Sequence, residues 1–442
     1  MGGRFIPGRL GFRRDIRMTR ISASGTHGCV PELKLRTIAD EDDYESFMSA
    51  AYTVFLQDVQ KDEIDLTRKF TDLDRMFGFH DGTRWASTGG AFAKEVVLPG
   101  GVITPVAAVT AITVSPSHRR RGLLTAMMRY QLDDIRARGT EAIAMLYASE
   151  ALIYGRFGYG MASADALLSG QVRDLGFRPD VDLGDGSVTE TDAETLLACA
   201  PAIHDRAIAQ LPGQMPRSRP WWDTWIHDSD ERRKETGRIR FALHHEADGT
   251  ASGYAIYRPK AQWGDGGQPT SEIHLQEVRA TNHRAYARIC RYLLDIDLIR
   301  SVKYHGAAVD EPLRYLVANQ RALQCAVGDG IYVRLVDVAR ALTLRSYATP
   351  IDVVLDVTDE FCPWNTGHFR LRGAPDGAEC EITTAPADIA ISARDLGAIY
   401  LGGVNLAALA GAGLAVELSA GSLQRTAIAF DWPVAPSVPD DF

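Results

Sequence analysis

From Leu33 onward, apolar and polar positions alternate between periods of two and about 3.6, the signatures of strands and amphipathic helices. Leu33-Lys34-Leu35-Arg36 has period two and predicts a short strand. Asp40-Glu41-Asp42-Asp43 supplies N-cap side chains to a helix carrying Phe47, Ala51 and Phe55, and a second, acidic helix-like stretch covers 57–74. Strands are predicted over 84–93, 95–98 and 102–114, the last ending in a β-branched run. Then Leu124, Met128, Leu132 and Ile135 fall at i, i+4, i+8 and i+11, one buried stripe that Gly139 can close as a C-cap. A strand over 143–148 comes next, then a helix from Ser149 to Tyr154 with Ser149 near its cap.

The stretch 162–330 alternates strands and helices again. A strand over 272–281 and a helix over 284–294 repeat the step that joins 102–114 to the Leu124 stripe. Here, though, the connection is Thr281-Asn282-His283-Arg284, with no glycine and no arginine cluster. It reads as a second copy of the same fold without the first copy's loop chemistry. Trp221, Trp222 and Trp225 sit at helical spacing, as core or interface residues or, alternatively, as an aromatic wall for a ligand. Past Gly330, short strands at 351–357, 369–372 and 379–382 precede helices at 391–401 and 406–409, with Leu396, Ile399 and Tyr400 on an apolar side. That segment reads as an α+β unit with its own core.

Composition narrows the class. The 442 residues, 45% hydrophobic and 24% charged, suit a globular chain of roughly two to four domains. A net charge of −9 speaks against a general nucleic-acid surface, and no apolar run is long enough to span a bilayer. Cys29, Cys199, Cys290, Cys325, Cys362 and Cys380 are widely scattered, which fits reduced thiols in the cytoplasm rather than a disulfide framework. His244, His245 and His283 lack carboxylate or cysteine partners at metal spacing, so no metal is expected. Six arginines crowd the first twenty residues with no apolar segment after them. A disordered basic extension over 1–30 is expected; Met18 is an alternative start and a targeting arm an alternative role.

Chemistry concentrates in Val114-Ser-Pro-Ser-His118-Arg119-Arg120-Arg121-Gly122-Leu123-Leu124. A strand passing through a basic, glycine-containing loop into a helix N-terminus makes an anion site, since the first-turn N–H groups are unpaired and the dipole is positive there. Gly122 lets backbone approach a ligand closely, and the arginines suit a pyrophosphate. A solvated basic helix start is the plainer alternative. The spacing Arg119-x-x-Gly122-x-Leu124 resembles the R/Q-x-x-G-x-[GA] element of GCN5-related N-acetyltransferases, which cradles the pyrophosphate of acetyl-CoA; Leu124 departs from the usual Gly or Ala. Tyr154-Gly-Arg-Phe-Gly158-Tyr159 resembles a second signature of those enzymes.

Together with Ala148-Ser149-Glu150, Asp395-Leu-Gly-Ala-Ile-Tyr-Leu-Gly402 and the ending Asp441-Phe442, these segments look like the Eis (enhanced intracellular survival) acetyltransferases, from about residue 33 to the C-terminus. The resemblance implies an α/β (α+β) chain. It has an acetyltransferase (GNAT) domain with the acetyl-CoA site over 31–161, a degenerate GNAT-like copy over 162–332, and a sterol-carrier-like α+β domain over 333–442. It implies a homohexamer acting on a small-molecule polyamine such as an aminoglycoside, at several positions. Ile112, Thr113 and Val114 would bond the pantetheine arm, Arg119, Arg120, Gly122, Leu123 and Leu124 would line the pyrophosphate, and Ser149 would sit by acetyl-CoA. Tyr154 would be the general acid, the carboxylate of Phe442 the general base, and Asp440 and Asp441 would hold positive charge at the mouth. Alone, Tyr154 reads as a buried tyrosine with one hydrogen bond and Phe442 as a frayed end. A protein lysine or N-terminus as acceptor, and a non-catalytic scaffold holding an apolar ligand, are the alternatives.

Overall fold

The computed structural model describes residues 32–442; the extension expected over 1–30, with Met18 and Cys29, lies outside them. After β1 (Lys34–Thr37), Asp40 caps α1 (Glu41–Val54) by accepting from the Asp43 N–H, and Tyr44, Phe47 and Ala51 form its buried face. Phe55, expected on that face, is 41% exposed because the helix ends one residue before it. The acidic stretch folds as the shorter α2 (Lys61–Arg68) and a tight turn at Leu73–Arg75. β2 (Met76–His80), β3 (Ser87–Leu98) and β4 (Val102–Val114) run antiparallel. The two strands expected over 84–98 are thus one, since Lys94 interrupts the apolar run without interrupting the pairing. α3 (Leu123–Arg138), closed by Gly139 at φ 68°, crosses to β5 (Ile143–Tyr147), which lies parallel to β4. The short α4 (Ala151–Tyr154) and β6 (Gly160–Met161) complete the unit.

The central unit comprises β7 (Ala164–Gln171), β8 (Ser187–Thr191), α5 (Ala193–Ile208), α6 (Arg219–Trp225), α7 (Asp230–Glu235), β9 (Arg240–His245) and β10 (Ala251–Lys260). It continues with β11 (Ser271–Ala280), α8 (His283–Leu294), β12 (Ile299–Ala308), α9 (Leu313–Leu316) and β13 (Gln324–Asp329). Its sheet has the order β13-β7-β12-β11-β10-β9-β8. The succession β9-β10-β11-α8-β12 repeats β2-β3-β4-α3-β5, down to the parallel last pair. The expected second copy is there.

β14 (Ile331–Leu335) then returns to the first sheet, whose order is β1-β2-β3-β4-β5-β14-β6, and pairs antiparallel with β5 and β6. The boundary expected between 332 and 333 therefore falls inside a strand, with all five residues buried. A short apolar run reads alike whichever sheet takes it, so nothing local marked this. The third unit has α10 (Val338–Thr343), β15 (Ile351–Thr358), β16 (Gly367–Ala374), β17 (Gly377–Thr383), β18 (Ile389–Ser392), α11 (Ala393–Ile399), α12 (Leu406–Gly411), β19 (Ala415–Glu417) and α13 (Ser422–Phe430). The helix expected from 391 starts two residues later, because Ile391 belongs to β18 and Ser392 caps α11. One buried cluster joins Val96, Met145 and Val333 of the first sheet to Leu355, Phe369 and Leu396, so the first and third units share a core. Among the described residues no helix is long and apolar enough to cross a membrane.

Candidate active site

The site grows out of a break in the first sheet. β4 and β5 pair only at Ala107–Ala144 and Ala108–Met145, although β4 runs on to Val114. A bulge helps to part them. Thr88 pairs with Thr113 but Gly90 pairs with Thr110, so Gly89 faces both Ala111 and Ile112. Ala111 takes φ 53°, and the Thr88 hydroxyl donates to its carbonyl at 2.7 Å. A bulge bends its strand and re-aims the residues beyond it. Ile112, Thr113 and Val114 thus keep one edge on β3 and leave the other open toward the split. That open edge fits an amide-bearing arm such as pantetheine, which offers the complementary donors and acceptors.

The open edge leads into the basic loop. One tight turn (Pro116–His118) is followed by Arg120 at φ 62° and Gly122 at φ 76°. Arg119, Arg120 and Arg121 are exposed, and among the described residues none of the three makes an ion pair. α3 starts with no side-chain cap, so its first N–H groups stay free, and a Cβ on Gly122 would meet only open space. The Leu123 side chain packs in a cluster with Phe77 and Phe79, and Leu124 is half-buried, which leaves only their backbone to the loop. Positive φ costs a side-chain-bearing residue about 1–2 kcal/mol. Gly122→Val is therefore expected to weaken acetyl-CoA binding by about tenfold, which titration calorimetry reads directly. Unaltered affinity in the folded variant would remove this loop from the anion site.

The second copy shows the same parts closed. β11 and β12 also part, after Leu275–Tyr304. But the Tyr304 hydroxyl accepts from the Val278 N–H on the free edge at 3.4 Å, and Asn282 caps α8 by accepting from the Ala285 N–H. One N–H of the edge and one of the helix end are thus satisfied internally.

Tyr154 ends α4, 4% exposed, its ring edge-on to Tyr159. Burial pushes its hydroxyl above the ordinary phenol value; the neighbouring Ser149 side chain pulls it back and the charge of Glu150 adds to the rise. The proton is therefore present at neutral pH. Ser149 is exposed and does not cap the helix; Glu150 occupies the cap position without a cap bond. Gly158 must be glycine: it has φ 82°, and a Cβ there would collide with the Arg334 guanidinium.

Residues 438–442 run beside the end of β5. The Tyr147 hydroxyl, at the end of β5, donates to the Val438 carbonyl, and the Phe442 ring sits 5.6 Å from the Tyr147 ring. Phe442 also packs into a cluster with Phe92, Phe70 and Trp221. Asp440 departs from expectation. It is fully buried, accepting from Arg217 Nε at 2.8 Å, Arg217 Nη2 at 3.0 Å and Trp221 Nε1 at 2.7 Å. Those bonds leave its carboxylate to hold the tail rather than a substrate. Asp441 is exposed as a residue, yet desolvation of its carboxyl raises its pKa above the ordinary value. Trp221 also stands apart from its neighbours. Trp222 belongs to the central core, while Trp221 lines the face where Phe442 lies, so the aromatic-wall alternative fits one of the three. Lys94, flanked by Trp221 and Asp440, carried no sequence signal beyond its break in an apolar run.

His244 is buried and bonded to Ser252 Oγ at 2.8 Å, a packing histidine. Among the described residues no group of three or more His, Cys, Asp or Glu side chains is arranged to hold a metal.

A parted parallel strand pair leading to an uncapped helix, repeated once in blocked form, defines an acetyltransferase of the GCN5-related class. Residues 34–162 and 213–335 each match an Acetyltransferase (GNAT) domain family, and 338–439 match the Sterol carrier protein domain family. The chain is 41% identical over 384 residues to an uncharacterized N-acetyltransferase of Streptomyces avermitilis, covering 86% of this chain and 92% of that one. It is 31% identical over 349 residues to the N-acetyltransferase Eis of Mycobacterium tuberculosis, covering 77% and 82%. The crystal structure of Eis1 from Mycobacterium abscessus superposes with a TM-score of 0.77 at 29% identity, over 92% of this chain and all of that one. The chain belongs to the Eis family of N-acetyltransferases.

Proposed function

We propose that the protein moves the acetyl group of acetyl-CoA directly onto amines of a cationic small molecule such as an aminoglycoside, at more than one position where several amines are offered. The observation that carries this is the open β4 edge running into an uncapped, arginine-flanked helix while the second copy's edge is blocked. In this reading Ile112, Thr113 and Val114 hold the pantetheine arm by backbone, Arg119, Arg120, Gly122, Leu123 and Leu124 hold the pyrophosphate, and Ser149 stands by acetyl-CoA. Bound acetyl-CoA supplies an activated acyl carbon.

Two proton movements fall to the chain. The attacking amine must be neutral, and the departing thiolate must gain a proton. Tyr154, whose hydroxyl burial keeps protonated, gives that proton. The terminal carboxylate of Phe442 takes one from the amine. An ordinary α-carboxyl, at about 3.3–3.7, is a weak base for this; the half-buried Phe442 sits among aromatic rings. Asp441 holds acceptor charge at the mouth. A homohexamer in the cytoplasm goes with the same family reading.

The test pits an aminoglycoside panel against lysine-containing peptides under identical conditions, with products weighed by mass spectrometry. Two or more acetyl groups on one aminoglycoside support the reading. Acetylated peptides with untouched aminoglycosides would transfer the site to protein acceptors.

A further inference from the structure

The last six residues form no helix or strand, yet Ser437, Val438 and Asp440 are each hydrogen-bonded to the body of the protein. Ser437 donates its N–H to the Pro212 carbonyl at 3.2 Å and receives Gln214 Nε2 on its carbonyl at 2.9 Å and on Oγ at 2.8 Å. Val438 is held by Tyr147. At Asp440 the fastening becomes ionic. Arg217 lies between two carboxylates, bonding Asp440 through Nε and Nη2 while its Nη1 and Nη2 reach Glu277 at 2.7 and 3.0 Å. None of the three side chains is more than 1% exposed. Lys94 approaches the same Asp440 oxygen at 3.7 Å, its Nζ 3.1 Å over the Trp221 ring.

Such a cluster is a poor way to gain stability. Taking charges out of water costs several kcal/mol per ion, and well-packed apolar side chains often do as well or better. What a forked guanidinium between two carboxylates does provide is fixed geometry. Lys94 makes the point from the other side. Desolvation lowers its pKa to about 7 and its nitrogen has no hydrogen-bond partner, so it holds Asp440 by charge alone, without directional bonds. Against the rise that desolvation brings, Arg217 first and Lys94 second keep the Asp440 carboxyl well below the usual range, and only Arg217 does so through hydrogen bonds.

The anchor's position matters as much as its strength. Glu277 lies on β11 beyond Leu275, the last residue paired with β12. In the first copy the corresponding free edge faces the split; here it carries the side chain that grips Arg217. From Asp440 to the chain end is two residues, at most about 7 Å of extended chain. A chain end normally frays. This one is tethered within a residue pair of its carboxylate.

We propose that Arg217, braced by Glu277, is a positioning residue of the acetyl transfer: it fixes Asp440 and so aims the Phe442 carboxylate, making the degenerate central domain the dock of the catalytic base. This rests on the base role given to Phe442 above.

Full-length Asp440→Asn and Arg217→Lys test it. Asparagine preserves the shape of Asp440 and can still accept from Trp221, so that variant retains its fold most readily. In both, kcat is expected to fall by about a hundredfold, the scale set by an ångström's misplacement of a reacting group, with the KM for acetyl-CoA unchanged. Carboxypeptidase should release Phe442 faster from both than from the parent chain, a reading that does not depend on activity. The kcat–pH profile should lose its acidic limb with the base displaced. A lowered melting temperature with kcat intact in the folded fraction would make the cluster merely structural and overturn the proposal. So would unaltered release of Phe442. Appending Gly-Ser to the parent chain separates the two layers: if that abolishes turnover while Asp440→Asn does not lower it, the dock fails and the base stands. If the extended chain turns over normally, the base itself fails and the dock with it.

Discussion

Replacing Tyr154 by phenylalanine is expected to lower kcat by about 10²–10⁴-fold, the usual contribution of a positioned general acid. The substitution removes one hydroxyl from a side chain that is 4% exposed and leaves its ring against Tyr159. The structural cost of losing one hydroxyl should be no more than about 1 kcal/mol. Fold and acetyl-CoA affinity should therefore survive, and the loss should appear in kcat. Because burial raises this hydroxyl, the parent enzyme should hold the proton past the ordinary phenol value near 10, so Tyr154 should not impose a falling limb in the neutral range. A kcat lowered by about 10²–10⁴-fold in Tyr154→Phe, with calorimetric binding of acetyl-CoA intact, is the expected pair of results. A folded variant as fast as the parent would remove the assignment.

Extending the chain by Gly-Ser after Phe442 should reduce turnover by about a hundredfold or more, since it replaces a carboxylate by a peptide bond and carries the charge away. The tail's bonds at Ser437, Val438 and Asp440 all precede the addition, so the chain should still run along its groove and keep the Phe442 ring by Tyr147. Few enzymes would notice two residues at an exposed end; this one should lose its base. Normal kcat in the extended protein, with mass spectrometry showing the addition intact, would contradict the role of Phe442.

The two active-site signatures were legible because they are local. A β-branched run, a glycine and a stripe at helical spacing announce β4, the loop and α3 within thirty residues, and Gly122, Gly139 and Gly158 each take the positive φ that favours glycine there. The blocked state of the second copy was half legible. The missing glycine and arginines showed in sequence, but the Tyr304 hydroxyl accepting from the Val278 N–H on the free edge did not. Asp440 was misread for a physical reason. An acidic residue near a chain end looks solvated, and the partners that bury it, Arg217 and Trp221, stand 223 and 219 residues away. β14 escaped in the same manner, since its partner β5 lies on the far side of the entire central unit. Phe55 failed differently, through a helix end one residue earlier than periodicity implied.

The central claim is acetyl-CoA-dependent transfer to an amine at the β4–β5 split, and thiol release tests it most directly. Acetyl-CoA and the aminoglycoside panel, monitored with a thiol reagent and product mass spectrometry, should give free CoA in step with acetylated amine, and neither without an acceptor. Acetyl-CoA that binds yet yields no thiol with any amine, aminoglycoside or peptide, would contradict the account.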